Sequence, residues 1–212
     1  MPQGLNGDAD KYHSMKCAHW ILLTAFALTT MALGGVASAR PRAIDVQHSK
    51  MTISVYKQGL FSFFGDNHAI DAPIASGSYD AATKSIELTV EAAKLQVLDP
   101  KLAPSRRDAV ESNMTGSQVL DAGKYPTIVF RSTNIDDRDT HQWLVTGNLT
   151  LHGQTHLITF QVVQVDPGHF TGSATVRQTA FGITPIQVAG GSVSVKDEVK
   201  IDFEILLTKA TP

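Results

Sequence analysis

The residues whose spacing suggests chemistry are two histidines, His152 and His156, which lie four positions apart. On a helix that spacing would place both imidazoles on one face, where they could bind a metal ion. Here they flank His152-Gly153-Gln154-Thr155, which is typical of a tight hairpin turn. The pattern therefore favours exposed or hydrogen-bonded histidines, and no metal site is predicted.

Other catalytic signatures are absent from the sequence. It contains no G-x-S-x-G, H-E-x-x-H, P-loop or G-x-G-x-x-G motif. The remaining histidines of the chain after residue 40 are scattered and have no carboxylates clustered around them in the sequence: His48, His68, His141 and His169. We therefore expect a protein that is not an enzyme and has no cofactor. An enzyme acting on a small apolar substrate through His48 or His152 is the alternative.

The composition excludes several classes of protein. The chain has 212 residues, 18 basic and 20 acidic side chains and a net charge of −2, which gives no basic surface for nucleic acid. A hydrophobic content of 42% is too high for an intrinsically disordered chain. The single cysteine, Cys17, excludes an intrachain disulfide framework.

The N-terminus has the pattern of a secretory signal peptide. An apolar run occupies residues 20–36, Lys16 precedes it, and Ala37-Ser38-Ala39 supplies the small residues that signal peptidase requires. We predict cleavage after Ala39, which leaves residues 40–212 as one periplasmic or secreted domain. An uncleaved N-terminal membrane anchor is the alternative. Met15 is a second candidate start, which would make residues 1–14 an over-extension.

The rest of the chain alternates apolar and polar residues, as half-buried strands do. Ile86, Leu88 and Val90, for example, alternate with Glu87 and Thr89. The alternation predicts eight strands, at about 44–56, 60–78, 84–97, 125–135, 141–152, 155–165, 169–178 and 197–208, with a bend or bulge in the second at Gly65 and Pro73.

One segment breaks this alternation and predicts a helix. Ser105 lies three residues before Asp108, as in a capping box, and Val110 and Met114 have i, i+4 spacing, so we predict a helix over about 105–114. Consecutive antiparallel strands remove their exposed edges by closing. The predicted fold is therefore all-β: an antiparallel eight-stranded β-barrel with one short helix, whose interior is either packed with side chains or holds one ligand.

The glycine-containing stretch 179–195 has no basic residue until Lys196, so it is not a phosphate-binding loop. It is also too apolar for an ordinary solvated linker. Two interpretations remain open: a flexible apolar flap at the barrel mouth, or a plain connection between strands.

Seven short motifs, in this order, resemble the YceI-like polyisoprenoid-binding family. They are His48-Ser49, Gly59 with Gly65, Arg107-Asp108, residues 125–130 (YPTIVF), residues 147–153 (GNLTLHG), Phe181-Gly182-Ile183 and Asp197-Glu198-Val199. The chain departs from the family pattern at Tyr56-Lys57-Gln58, where members commonly carry a Lys-His pair, and at Asp66-Asn67-His68, where an Arg and an aromatic residue are common.

The resemblance implies a lipocalin-like barrel that carries a polyisoprenoid or quinone-type lipid without catalysis. The residues expected to line the ligand cavity are apolar and lie on or beside the predicted elements: Phe61, Phe63, Phe64, Ile70, Leu88, Val90, Met114, Phe130, Trp143, Phe160, Phe181 and Phe203. Lys57, Arg107 and Arg177 are the candidates for contact with the lipid head group.

The resemblance also bears on partners. It is compatible with a homodimer and with a peripheral encounter with a membrane, and no nucleic-acid partner is expected. The alternative function is an envelope stress-response or interaction module, whose barrel would be filled by large side chains and bind no ligand.

Overall fold

The computed structural model describes residues 40–58, 67–188 and 193–209. These residues contain twelve strands and one α-helix. In chain order they are β1 (Arg42–Ala43), β2 (Lys50–Gln58), β3 (His68–Asp71), β4 (Ile74–Asp80), β5 (Ser85–Glu91), β6 (Gln96–Val97), α1 (Pro104–Thr115), β7 (Thr127–Asp139), β8 (Gln142–Leu151), β9 (Gln154–Asp166), β10 (His169–Arg177), β11 (Gln187–Val188) and β12 (Val193–Leu206).

The strands form one antiparallel sheet that curls into a barrel. Its hydrogen-bonded order is β1-β4-β5-β7-β8-β9-β10-β12-β2-β3-β6, and β11 pairs with β12. β3 and β4 lie near opposite ends of this order, yet only Ala72 and Pro73 separate them in the chain. The sheet therefore returns to the segment from which it starts, which confirms the predicted all-β barrel.

The strand count differs from the predicted eight. Pro73 has no N–H to donate to the sheet, so the second predicted strand is divided into β3 and β4. This confirms the predicted break at Pro73. If this interrupted segment is counted once, eight long strands form the barrel. The additional strands, β1, β6 and β11, have two residues each. The other predicted break, at Gly65, lies outside the described residues.

Two predicted strands are shorter than expected because side chains and turns end them. The predicted strand 44–56 begins late, because residues 45–49 form a turn in which the Asp45 carboxylate lies 2.8 Å from His48 Nδ1 and accepts a hydrogen bond from Gln47 N. The predicted strand 84–97 ends at Glu91, where a 3₁₀ turn over Ala92–Lys94 leads to β6.

The hairpins follow the predicted turns. His152 and Gly153, between β8 and β9, both have positive φ, at 50° and 73°, which matches the right-handed twist of the flanking strands. Gly168, with φ of 85°, makes the turn between β9 and β10.

The helix lies where it was predicted, but its N-terminus is built differently. The N-cap residue is Ala103, Pro104 occupies the first turn, and no side chain caps the helix, so the predicted capping box of Ser105 and Asp108 was wrong. The helix is held by side chains farther along: Glu111 Oε1 accepts a 2.7 Å hydrogen bond from Val97 N of β6, and Arg107 Nη2 donates one of 3.0 Å to Asp99 O. Within the described residues, no helix is both long and apolar enough to cross a membrane.

At the other end of the barrel, β1 and the residue after it bond to β4 and to the end of β12. Ile44 forms a bridge with Leu207 beyond the end of β12, and its N–H donates a 2.9 Å hydrogen bond to Gly77 O of β4. The Arg42 guanidinium donates to Thr208 O at 2.7 Å. Three segments distant in sequence are therefore joined at this end.

Candidate ligand-binding site

Apolar side chains point into the barrel because alternate residues of each strand face the same side. Within the part of the chain that the structure describes, two adjacent cavities lie between these side chains. The larger cavity has a volume of about 360 Å³ and the smaller one a volume of about 150 Å³. Three residues, Ile128, Leu149 and Ile201, line both and so mark the boundary between them.

The larger cavity lies under α1 and beside the turn that follows β10. Val110 and Met114 of the helix and Ile183 of the turn contribute to its wall. Most of the remaining wall comes from aliphatic residues of the strands, among them Ile53, Val55, Ile70, Leu151, Val176 and Val199.

Polar side chains in the lining of the larger cavity are concentrated where β2, β3 and β12 meet. Lys57 pairs with Val195, and His68 pairs with Val55, which brings the Lys57 and His68 positions onto adjacent strands. The polar residues of this lining are Tyr56, Lys57, His68, Asn113, Gln178 and Ser194. This polar end of the larger cavity can donate hydrogen bonds to a head group.

His68 is also part of a half-buried polar cluster beside α1. Its Nδ1 lies 4.0 Å from the Asp99 carboxylate, while Arg107 binds the backbone oxygen of the same aspartate. Among the described residues, neither His68 Nδ1 nor Arg107 Nε has a hydrogen-bond partner, although both atoms are buried. Such groups are uncommon in folded proteins, since an unmet buried donor costs about 1–3 kcal/mol.

The smaller cavity is lined mainly by aromatic and aliphatic residues, and only Ser78, Tyr79 and Trp143 of its lining carry side-chain nitrogen or oxygen atoms. The rings of Phe130 and Phe160 have centroids 5.3 Å apart, and those of Phe160 and Phe203 are 5.6 Å apart. Trp143 and Phe170 form a second aromatic contact, at 5.5 Å.

Two glycines let the phenylalanine rings lie against the barrel wall. A Cβ at Gly147 would lie 2.5 Å from Phe130 Cζ, and one at Gly172 would lie 2.8 Å from Phe203 Cε2. Both distances are well below van der Waals contact. Because the rings occupy the places where these side chains would stand, they take up less of the barrel interior.

The predicted cavity residues fall into four groups. Leu88, Phe130, Trp143, Phe160 and Phe203 line the smaller cavity. Ile70, Met114 and Lys57 line the larger one. Val90 and Phe181 are buried in the core and line neither cavity. Arg107 and Arg177 also line neither cavity. Phe61, Phe63 and Phe64 lie outside the described residues.

Arg107 and Arg177 have protein partners. Arg107 binds the backbone of Asp99, as described above. Arg177 follows the inward-facing Val176, so its side chain is on the outside of the barrel, where it forms an ion pair of 3.4 Å with Glu198 of β12. Among the three head-group candidates, Lys57 is the one that the structure brings to a cavity.

Sequence reasoning missed Phe170, which lines the smaller cavity and contacts both Trp143 and Tyr79. A signal was present, because Phe170, Gly172, Ala174 and Val176 alternate along β10 and share its inner face. It also missed most of the aliphatic wall, since residues such as Ile128 and Ile201 look like ordinary core residues in the sequence.

The two histidines at the β8–β9 hairpin pack against the turn after β10. His152 Nδ1 lies 3.1 Å from Phe181 O, and its ring contacts Tyr125, while His156 stacks edge-on against Phe181 at 5.0 Å. No group of three or more metal-ligating side chains occurs in the part of the chain that the structure describes.

The turn after β10 is also tied to β12. The Asp197 carboxylate accepts hydrogen bonds from Thr179 N at 2.8 Å and Thr179 Oγ1 at 2.7 Å. These bonds, the backbone one first, lower the pKa of Asp197 below its usual value. The described part of the 179–195 stretch is thus a packed connection, with β11 paired to β12, while residues 189–192 lie outside the described residues.

Known proteins resemble the chain over most of this domain. The family model of the YceI-like domain matches residues 43–207. A UPF0312 protein of Vibrio cholerae is 25% identical over 192 residues, which cover 85% of this chain and 96% of the relative.

Two solved structures share the fold. BcnA of Burkholderia cenocepacia superposes with a TM-score of 0.58 at 23% identity, covering 78% of this chain and 99% of BcnA. A polyisoprenoid binding domain from Saccharophagus degradans, implicated in plant cell wall breakdown, has a TM-score of 0.56 at 12% identity and covers 80% and 98% of the two chains. At these identities the likeness shows the common fold.

Proposed function

The chain belongs to the YceI-like domain family, and from this membership and its cavities we propose that it is a non-enzymatic protein that binds an isoprenoid lipid inside its barrel. The observation that carries the proposal is the pair of adjacent cavities, whose shared boundary is apolar and whose walls are mainly apolar outside the polar end of the larger cavity. The Saccharophagus degradans domain of the same fold is described as polyisoprenoid binding, which supports this class of ligand.

The binding free energy would come chiefly from the tail. Burial of apolar surface contributes about 25 cal/mol per Å², or about 0.8 kcal/mol for each CH₂ group. A branched hydrocarbon tail can therefore bind without strong polar contacts. The lipid head group would lie at the polar end of the larger cavity, where Lys57 supplies a positive charge and His68, Asn113 and Gln178 supply hydrogen bonds.

The two histidines considered for catalysis lie away from the two cavities. His48 lies in the turn before β2, and His152 binds the backbone of Phe181. Neither lines a cavity. A filled barrel that binds only a protein partner would have an interior without cavities of this size.

We propose further that the protein acts outside the cytoplasm. Ala37-Ser38-Ala39 and the preceding apolar run support removal of residues 1–39 during export. N-terminal sequencing of the protein recovered from a periplasmic extract tests this: a first residue of Arg40 is expected, and an intact N-terminus in the membrane fraction would contradict it.

The direct test is to identify what the protein carries. Protein purified from its native host is extracted with organic solvent, and the extract is analysed by mass spectrometry. An isoprenoid lipid in stoichiometric amount is expected, and its absence together with no binding of added prenyl lipid would overturn the proposal.

A pair of matched variants shows whether the lipid occupies the barrel. Val176→Phe places a ring in the larger cavity, whereas Thr175→Phe makes a phenylalanine substitution at the neighbouring, outward-facing residue. Val176→Phe is expected to lose the co-purified lipid and Thr175→Phe to keep it. Thermal unfolding of both variants checks that they are folded.

A further inference from the structure

Exposed apolar and basic side chains lie together at the end of the barrel where α1 is found. Tyr56, near the end of β2, lines the larger cavity and is still 39% exposed, so it contacts both the cavity and the solvent. Lys196 lies on the adjacent strand β12, and its Nζ is 6.0 Å from the centroid of the Tyr56 ring. An aromatic ring and a cation therefore stand beside the polar end of the larger cavity.

The loop between β6 and α1 adds to this group. Leu98 N donates a 2.8 Å hydrogen bond to Ala69 O of β3, and β3 pairs with β2, so this loop is one strand away from the strand of Tyr56. The Leu98 side chain is 48% exposed, and Lys101, three residues later, is also exposed. The same end of the barrel thus presents a large aliphatic side chain and a second lysine to the solvent.

The two lysines are not neutralised by nearby carboxylates. Those carboxylates already have partners within the protein: Asp99 accepts from Lys101 N, Asp197 from Thr179 and Glu198 from Arg177. On α1, the exposed charges of Arg106 and Asp108 offset each other. Within the described residues, neither Lys101 nor Lys196 forms an ion pair, so both ammonium groups can bind an external anion.

The other end of the barrel has the opposite charge. The three hairpins there, residues 80–85, 136–142 and 166–169, carry five aspartates against two basic residues, Lys84 and Arg138. An anionic surface would repel this end and attract the end with Lys101 and Lys196. The charge distribution therefore favours one orientation of the barrel on such a surface.

We propose that Tyr56, Leu98, Lys101 and Lys196 form a docking surface for a bilayer that contains anionic phospholipids. Tyrosine is favoured at the level of the head groups, and an exposed leucine gains free energy by leaving water. Lysines on flexible stems bind lipid phosphates without a fixed geometry, which suits a fluid layer better than a folded acidic protein.

Docking would turn the polar end of the larger cavity, beside Tyr56, toward the lipid head groups. The inference goes beyond the proposed function, because a barrel without a ligand would dock by the same side chains. Leu98, Lys101 and Lys196 line neither cavity, so docking and binding inside the barrel can be measured separately.

Vesicle co-sedimentation tests the docking with the protein purified from its native host. One set of vesicles is pure phosphatidylcholine, and in the other about a third of the lipid is phosphatidylglycerol. Affinity for the anionic vesicles is expected to be at least tenfold higher. Raising the salt from about 0.1 M to about 1 M shortens the Debye length from about 10 Å to about 3 Å and should release the protein.

Two double variants with the same change in net charge test the assignment of the lysines. Lys101→Gln/Lys196→Gln removes both charges of the docking surface, and each should cost about fivefold in affinity for anionic vesicles, or about 25-fold together. Lys50→Gln/Lys84→Gln, the control, removes two lysines at the other end of the barrel and should change the affinity less than threefold.

A second matched pair tests the apolar contact. Leu98→Asn should weaken binding to anionic vesicles at least fivefold, because the side chain no longer gains by leaving water. Val46→Asn is the control, since Val46 is 39% exposed in the turn before β2, at the other end. It should change the affinity less than twofold.

The outcomes separate docking from the proposed function. Equal binding to both kinds of vesicle, or equal losses in the two double variants, would overturn the docking surface. Absence of binding to either kind of vesicle would also overturn it and leave an acidic protein or a second copy of the chain as the occupant. Equilibrium dialysis of a prenyl alcohol without vesicles should give the same affinity for wild type, Leu98→Asn and Lys101→Gln/Lys196→Gln, which shows that these variants are folded. If dialysis detects no binding while vesicle docking is as expected, the proposed function fails and the docking surface stands.

Discussion

Replacing Gly172 with alanine tests whether the phenylalanine rings lie against the wall as the structure shows. A Cβ at this position would lie 2.6 Å from Gln161 O of β9 and 2.8 Å from Phe203 Cε2. Carbon atoms in favourable contact are about 3.5–4.0 Å apart. The ring must therefore move by about 1 Å, and β10 must shift relative to β9.

The expected cost follows from this overpacking. Small-to-large changes in a packed interior destabilise by about 1–3 kcal/mol. With a urea m-value of about 2 kcal/mol/M, the unfolding midpoint should fall by about 0.5–1.5 M. Because Phe203 lines the smaller cavity, its displaced ring should also weaken binding of a twenty-carbon prenyl alcohol.

Gly123→Ala is the matched control, since a Cβ there would meet nothing within 4 Å. This change should leave the urea midpoint equal to that of the wild type or slightly above it, because alanine restricts the unfolded chain. Phe203→Leu in the Gly172→Ala background should recover part of the loss, while the approach to Gln161 O remains. If Gly172→Ala unfolds at the same urea concentration as Gly123→Ala, the close packing of Phe203 on β10 is refuted.

Three further predictions concern Phe181 and Asp197, at the turn after β10, and Lys57 in the lining of the larger cavity. Phe181→Ala should lower the free energy of unfolding by about 3–5 kcal/mol in urea titrations, because the ring is fully buried, and it should have little effect on the affinity for a prenyl alcohol, because the ring lines neither cavity. Because the pKa of Asp197 is lowered in the folded protein, the Asp197 carboxylate stabilises the fold fully above the usual aspartate pKa, and this stabilisation is lost as the pH falls through the lower folded value. Urea midpoints measured from pH 5 to pH 2 should show this loss. In Asp197→Asn the same part of the pH dependence should be absent. Lys57→Met should weaken binding of a prenyl phosphate about two- to fivefold, as expected for an ion pair that stays in contact with water, and leave the affinity for the matching prenyl alcohol unchanged in equilibrium dialysis.

The barrel strands could be predicted because alternation records which face of a strand is buried. In β8, for example, Trp143, Val145 and Leu149 face inward and Thr146 and Asn148 outward, as their order in the sequence indicates. The start of β2 could not be predicted in this way. Val46 continues the apolar pattern, but the Asp45 side chain bonds to the following residues and holds a turn there.

The site was predicted less completely because its residues depend on contacts between distant segments. Phe181 and Phe203 look alike as apolar residues near strands, yet a 3₁₀ turn and Gly182, with φ of 71°, place Phe181 in the core outside the cavities. Arg177 was a reasonable head-group candidate until its pairing with Glu198 across β10 and β12 was known. Such cross-strand partners are set by register, which a single sequence does not contain.

The smaller cavity carries a cost in stability that a single substitution could reduce. Empty volume in a protein core costs about 24 cal/mol per Å³, so a cavity of about 150 Å³ corresponds to about 3.6 kcal/mol. Ala174→Leu would bury three more carbons there, a gain of about 2 kcal/mol if the leucine fits without strain. Features that lower stability are retained where activity needs them, and for this cavity the need would be a lipid tail.

Opposite effects on stability and binding are therefore expected from Ala174→Leu. In the ligand-free protein the variant should unfold at a higher urea concentration than wild type, by about 0.5–1 M at an m-value of about 2 kcal/mol/M. A saturating twenty-carbon prenyl alcohol should raise the midpoint of the wild type and of Ser173→Leu, a control with the same side chain on the outer face of β10, since a ligand stabilises the state that binds it, and should raise that of Ala174→Leu much less. If the ligand-free variant is instead less stable than both, the space beside Ala174 is too constrained to admit three carbons, and a tail end could not occupy it either.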